Sequence, residues 1–261
     1  MKKFSYRIIK SSASLKKNYK NSSIDTECLF GECFEVESKK GLWCFGKCRE
    51  DNYKGWIKSN VLGNIIDSNH IVSAKRSFVF RKPDIKSEMI IYLPLRSKIK
   101  VIEKSENWAK LDLSLNKNKH FGYILSNHII QKQEIKQNWV KYAELFLNTP
   151  YRWGGRNSIG IDCSALLQLS KSFSGEYLPR DSNEQFKYFK KAMNYNIFKD
   201  TQLAKFSRGN IVFWKGHVAI VINEKKLIHA SAFHGLVKLE NIKKVITRIN
   251  KPFYLVKEKI I

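Results

Sequence analysis

Cys163 stands in the run Asp162-Cys163-Ser164-Ala165-Leu166-Leu167-Gln168, just after a loop that holds Gly154, Gly155 and Gly160. A glycine-bearing loop followed by an apolar run predicts a helix beginning near Cys163. In the first turn of a helix the backbone N–H groups lack partners and the dipole is positive, so a thiolate is favoured there. The thiolate is the nucleophilic form of cysteine, and the position therefore suits covalent chemistry. For an isolated cysteine, packing would be the simpler account.

Two histidines supply what such a nucleophile needs. His217 begins the strand-like run His217-Val218-Ala219-Ile220-Val221-Ile222, and His229 lies in Lys226-Leu227-Ile228-His229-Ala230-Ser231, with Asn223-Glu224-Lys225 as the expected turn. Their separation is even, so a turn of odd length puts both side chains on one face of a hairpin. Pairing Ile222 with Lys226 sets His217 opposite Ser231, with His229 a diagonal neighbour. Diagonal positions lie about 7–8 Å apart, within reach of two imidazoles joined by a hydrogen bond. A turn of even length would send them to opposite faces. The expected roles are nucleophile for Cys163, base for His217 and orienter for His229. His217 takes the thiol proton and later gives it to a leaving amine, while His229 fixes its tautomer. His70, His120 and His128 fall in the β-rich part and His234 past the strand, where surface positions are the simpler account.

Stepwise periodicities divide the chain that positions these residues. Over 1–66, Leu29-Phe30-Gly31-Glu32-Cys33-Phe34-Glu35-Val36 predicts a strand with a polar kink, followed by Gly41–Gly46 and Tyr53–Ile57, the pattern of a small β-barrel. Residues 70–131 repeat the plan: Asn107-Trp108-Ala109 aligns with Leu42-Trp43-Cys44, and Phe121-Gly122-Tyr123-Ile124 with Lys54-Gly55-Trp56-Ile57. The polar stretch Gln131–Gln137 reads as a linker. Residues 135–261 then open with a helix, expected to be capped by Asn138 and to bury Val140, Ala143, Leu145, Phe146 and Leu147. Helices first and a strand-rich part after Gly209 make an α+β domain.

The net charge of +25 would suit a nucleic-acid partner, but the lysines are scattered and form no stripe with stacking aromatics, so none is expected. No apolar run is long enough to span a bilayer, and no membrane partner is expected. The start Met1–Lys10 lacks the apolar middle of an export signal, because Arg7 and Lys10 interrupt it, so a cytoplasmic protein is expected. Cys28, Cys33, Cys44 and Cys48 do not have zinc-knuckle spacing and lie in strand-like segments, where cysteine packs as a small apolar residue. Neither a metal nor another cofactor is expected.

The motifs Tyr151-x-Trp153-Gly154-Gly155, Asp162-Cys163-Ser164, Gly216-His217-Val218 and Ile228-His229-Ala230-Ser231 resemble, in order and spacing, those of NlpC/p60 cysteine peptidases. Pro179-Arg180-Asp181-Ser182 with Gln185, and Phe78-Val79-Phe80 with Pro83–Ser87, resemble the cytoplasmic γ-D-glutamyl-L-diamino acid endopeptidases of murein recycling. The resemblance implies two small all-β SH3-like barrels, the second mainly a structural spacer, before an α+β papain-like catalytic domain. Ala165 and Asn210 stand where that family usually has Gly and Asp.

What the resemblance implies for substrate is a free murein peptide beginning L-Ala-γ-D-Glu, cut before its diamino acid. Asp162 and Ser164 beside the nucleophile are candidates to hold the free amine, with Glu32 and Tyr53 closing the far end. Asp162 is equally the expected N-cap, and its charge opposes a thiolate. Tyr151 either donates to an oxyanion with the Cys163 N–H or only packs, and Arg180 either binds a substrate carboxylate or braces the loop. The rivals are a secreted hydrolase of intact wall, a related acyltransferase or amidase, and a binding module with a degenerate catalytic domain.

Overall fold

The computed structural model describes residues 4–20, 23–115, 120–134, 138–192, 195–198 and 204–257. It divides into two compact units, Met1–Glu134 and Ile135–Ile261. The last part of the expected linker, residues 135–137, and the first three residues of the chain lie outside the described residues.

The first unit contains two β-modules. In the first, Phe4–Ile8 pairs with Cys33–Lys40, which pairs in turn with Trp43–Cys48 and Lys54–Lys58, all antiparallel, and Leu62–Gly63 closes back onto the first strand. Ser12–Leu15 and Thr26–Leu29 form a separate ribbon. The single strand expected over 29–36 is instead two, because the chain turns at Gly31 with φ +79°. A side chain there would also strike the Lys98 carbonyl. Alternation along Trp43–Cys48 points Cys44 and Cys48 inward, where they join Ile8, Leu15, Cys28, Phe34, Val36 and Ile57 in the core.

The second module is a seven-stranded sheet over residues 70–131, with a core built on Val79, Leu93, Ala109, Leu111 and Ile124. The pairing of its Trp108–Asp112 and Phe121–Leu125 strands reproduces that of Trp43–Cys48 and Lys54–Lys58. Trp43 faces Lys58 and Cys44 faces Ile57, just as Trp108 faces Leu125 and Ala109 faces Ile124. The modules are joined closely: Phe30 of the first is buried in the core of the second, and the Lys98 N–H donates to the Phe30 carbonyl at 2.9 Å.

The second unit begins with a short helix α1, Val140–Glu144. Its cap is Trp139, with no side-chain hydrogen bond, whereas Asn138 is engaged by Arg208. Val140, Ala143 and Phe146 are buried as expected. Leu145 and Leu147 are each 41% exposed, because regular helix stops at Glu144 and Asn148 takes a left-handed φ of 64°. Helix α2, Cys163–Lys171, is buried along its whole length, and α3 spans Ser182–Ala192. The sheet is antiparallel and six-stranded, built from β1 Tyr195–Phe198, β2 Ile211–Trp214, β3 His217–Asn223, β4 Lys226–Ser231, β5 Leu236–Asn241 and β6 Phe253–Val256, in the order β1-β6-β2-β3-β4-β5. Helix α4, Ile242–Ile249, packs Ile242, Val245 and Ile246 against Val212, Val221, Leu227 and Phe253. Among the described residues no helix is long and apolar enough to cross a membrane.

Candidate active site

Cys163 is the first residue of α2, with 8% of its surface exposed. Asp162 caps the helix in extended backbone: its Oδ1 accepts the Ala165 N–H at 2.9 Å and the Ser164 hydroxyl at 3.1 Å. Its Oδ2 accepts the Gly154 N–H at 2.9 Å, which Gly154 can aim there because its φ is +74°. Arg180 grips both oxygens, Nη1 to Oδ1 at 3.0 Å and Nη2 to Oδ2 at 2.5 Å, and Nη1 also reaches the Ser164 hydroxyl at 2.7 Å. Gln185 donates to the Ser164 and Pro179 carbonyls, both at 2.9 Å. Five donors thus converge on Asp162, and its charge is matched by a buried guanidinium. The guanidinium offsets only part of the conflict between the Asp162 charge and a thiolate beside it, and through these bonds Arg180 braces the loop.

The two histidines lie on the hairpin β3–β4. Ile220 faces Ile228 and Val221 faces Leu227, the register that pairs Ile222 with Lys226, although a bulge next to the turn moves Lys226 opposite Asn223. His217 Nε2 and His229 Nδ1 are 2.8 Å apart. Behind them, His229 Nε2 lies 2.8 Å from Glu240 Oε2, and Arg248 of α4 binds both oxygens of Glu240 at 2.9 and 2.8 Å. His234 Nε2 is 3.0 Å from Glu240 Oε1. The even separation brings the two histidines together, and the carboxylate behind them lies one strand further on. His229 faces Lys238 in β5, so Glu240, two residues further on, is its diagonal neighbour on the same face.

Burial pushes the Cys163 thiol up to about 12, helped by the Asp162 charge, while the Val218 and Ser164 backbone N–H groups and Arg180 pull the other way. Burial, with His229 and Arg248, pushes His217 down to about 3. Burial thus disfavours the charged form of each group taken singly. Burial also lowers His229, against the pull of Glu240. Burial works to raise the Glu240 carboxyl, but hydrogen bonds from Arg248, His229 and His234 outweigh it and hold it well below the usual carboxylate range. Burial and the nearby Cys163 and Asp162 push the Tyr151 hydroxyl above its ordinary value, so it keeps its proton and remains a donor.

Glu32 and Tyr53 belong to the amino-terminal unit. Glu32 is buried and accepts the Leu29 N–H at 2.8 Å, while Tyr53 packs half-buried against the first core. Cys28 and Cys48 lie with Glu32 so that their ligand-capable atoms fall within 4.8 Å of one another, a convergence that sequence spacing did not disclose. Hydrogen bonding with Cys28, then burial, drives the Cys48 thiol well above its ordinary value. The two thiols and the carboxylate form one hydrogen-bonded group. Of the other histidines, His128 bonds Ser77 at 2.8 Å and His70 bonds Asn69 at 3.0 Å, while His120 is exposed.

Residues 148–254, which hold the buried helix headed by Cys163 and most of the antiparallel sheet, match the NlpC/P60 family. Residues 16–62 match the bacterial dipeptidyl-peptidase Sh3 domain, so an SH3-like segment precedes the segment that matches the NlpC/P60 family. It is 25% identical over 176 residues to dipeptidyl-peptidase 6 of Lysinibacillus sphaericus, an alignment taking in 63% of this chain and 61% of that protein. It is 24% identical over 232 residues to the gamma-D-glutamyl-L-lysine dipeptidyl-peptidase of Bacillus subtilis (strain 168), covering 79% of this chain and 72% of the relative. The crystal structure of an NlpC/P60 family protein from Bacillus cereus ATCC 10987 superposes with a TM-score of 0.75 at 18% identity, over 92% of this chain and 94% of that one.

Proposed function

We propose that this chain is a cysteine peptidase that cuts the bond from the γ-carboxyl of D-Glu to a diamino acid in free murein peptides beginning with L-Ala. The observation that carries the reading is the 2.8 Å contact between His217 Nε2 and His229 Nδ1, on the hairpin whose Val218 N–H is hydrogen-bonded to Cys163. It leaves His217 Nδ1 as the nitrogen available to the thiol. In the proposed reaction Cys163 passes its proton to His217 Nδ1 as sulfur attacks the γ-carbonyl carbon. The Cys163 N–H and the Tyr151 hydroxyl donate to the oxyanion. His217 returns the proton to the departing amine, and the thioester remains on sulfur. Water then loses a proton to His217, attacks the thioester, and releases L-Ala-D-Glu as sulfur recovers its proton.

The substrate side rests on the two relatives whose names specify dipeptidyl-peptidase activity. A free ammonium requires a carboxylate or a dipole. Asp162 and Ser164 are candidates by position, but the donors already on Asp162 mean that an ammonium would have to displace one of them. Glu32 and Tyr53 are the candidates from the amino-terminal unit. We assign residues 70–131 as a second SH3-like barrel on the shared strand register, and a cytoplasmic place in wall-peptide recycling fits a preference for free peptides.

The test is mass spectrometry after incubation with L-Ala-γ-D-Glu-meso-diaminopimelate, the same peptide acetylated at its amino end, and intact sacculi. Release of L-Ala-D-Glu from the free peptide alone, lost in Cys163→Ala, is the expected result. Equal cleavage of the acetylated peptide or of sacculi would sink the amine requirement. Full activity in Cys163→Ala would sink the cysteine mechanism.

A further inference from the structure

Glu240 ends the imidazole chain, and its side chain is only 9% exposed. It faces His229 from β4, His234 from the β4–β5 loop and Arg248 from α4, while Lys238 of its own strand stands 3.4 Å from His234 Nδ1. An ionised carboxylate only accepts hydrogen bonds. The Arg248 fork covers both of its oxygens, so the contact at His229 Nε2 must be an N–H donated to Oε2. A neutral imidazole has one N–H, and His229 Nδ1 is then the acceptor. The short contact to His217 therefore carries the proton on His217 Nε2, which leaves a lone pair on His217 Nδ1. Each tautomer follows from the one behind it, and the sequence starts at Glu240.

We propose that Glu240 is a positioning residue that dictates the tautomers of both His229 and His217, with Arg248 holding it in place. The inference rests on the reading of Cys163 and His217 as nucleophile and base. Without the carboxylate, His229 can carry its proton on Nδ1 and donate it to His217 Nε2. His217 then carries its proton on Nδ1 and presents a donor where a base is needed. Loss of the carboxylate also leaves the Arg248 charge unopposed behind an imidazole that must become imidazolium in the reaction.

Two readouts separate this role from simple support of the fold. In Cys163→Ala protein, long-range ¹H–¹⁵N correlation spectra of the histidine rings are expected to show both His217 and His229 as the Nε2–H tautomer. Adding Glu240→Ala is expected to move both toward Nδ1–H. In kinetics on otherwise unaltered protein, Glu240→Ala is expected to lower kcat at least about 10-fold while KM stays within about two-fold. Glu240→Gln keeps the shape but sets an amide NH₂ against one Arg248 N–H in either orientation. It decides the matter if the alanine variant does not fold, with the same loss of kcat and a displaced acid limb in the pH profile. Unchanged tautomers, or an unchanged kcat in a folded variant, would overturn the proposal. The NMR readout needs no turnover, so failure of the cysteine mechanism and failure of the Glu240 role are distinguished.

Discussion

Replacing Arg180 with methionine removes a buried ion pair beside the nucleophile. The guanidinium, 2% exposed, makes two bonds to Asp162 and one to Ser164. Removing it leaves the Asp162 carboxylate buried without its counter-charge, a change that costs about 3–5 kcal/mol in comparable pairs. Two charge-assisted bonds at about 1.5–3 kcal/mol each and one ordinary bond at about 1 kcal/mol come to about 4–7 kcal/mol, which overlaps the upper part of that range. Taking about 4 kcal/mol, local opening of α2 should become about a thousandfold more frequent, at about 1.4 kcal/mol per tenfold. Hydrogen-exchange mass spectrometry of peptides across 163–171 in the full chain reads that change directly. The double variant Asp162→Asn/Arg180→Met should recover most of the protection, since asparagine still caps the helix and no buried charge remains. Less than a tenfold rise in exchange for Arg180→Met, or a double variant as exposed as the sum of both singles, would refute the reasoning.

His217 gives a pH signature. Its folded value of about 3 lies below the ordinary value near 6.5, so the unfolded chain binds the extra proton between them. The stability it confers is full above about pH 6.5 and is lost as the pH falls toward 3. Urea titrations should therefore show the gap between parent and His217→Asn closing over that window, and a pH-independent gap would contradict it. Gly155→Ala places a Cβ 2.4 Å from the Gly160 carbonyl oxygen, a backbone atom that cannot swing away. A loss of about 1–3 kcal/mol is expected in urea unfolding, and an unaltered midpoint would refute the close approach. Phe30→Ala empties a buried site and should cost about 3–5 kcal/mol, read as faster hydrogen exchange in the second-module strand Lys98–Lys104. Protection unchanged in that strand would mean that the ring does not support the second module.

Local patterns were the legible part of the chemistry. Cys163 at a helix start follows from the glycine loop and the apolar run after it, and the even separation of His217 and His229 carried the hairpin register. Glu240 and Arg248 were not legible, because their place depends on how β5 aligns with β4 and on which side α4 packs. The same limit hid the meeting of Cys28, Glu32 and Cys48, which come from separate segments of one barrel. Misreadings arose where a short segment departed from its period. Phe30-Gly31 breaks a strand at a left-handed glycine, and α1 ends after Glu144, so Leu145 and Leu147 fall outside its buried face. The Asp162–Arg180 clamp was half legible: both residues were singled out, but only the packed loop shows that they serve each other.

Phe30 belongs by sequence to one β-module and by burial to the other. A cut between the modules would strand its ring in water on one side and open a hole on the other, while removing the acceptor of the Lys98 N–H. Arg7 adds to the dependence by donating to the backbone of residues 113 and 114. Grafting such a module into another protein would therefore have to carry a piece of its neighbour along.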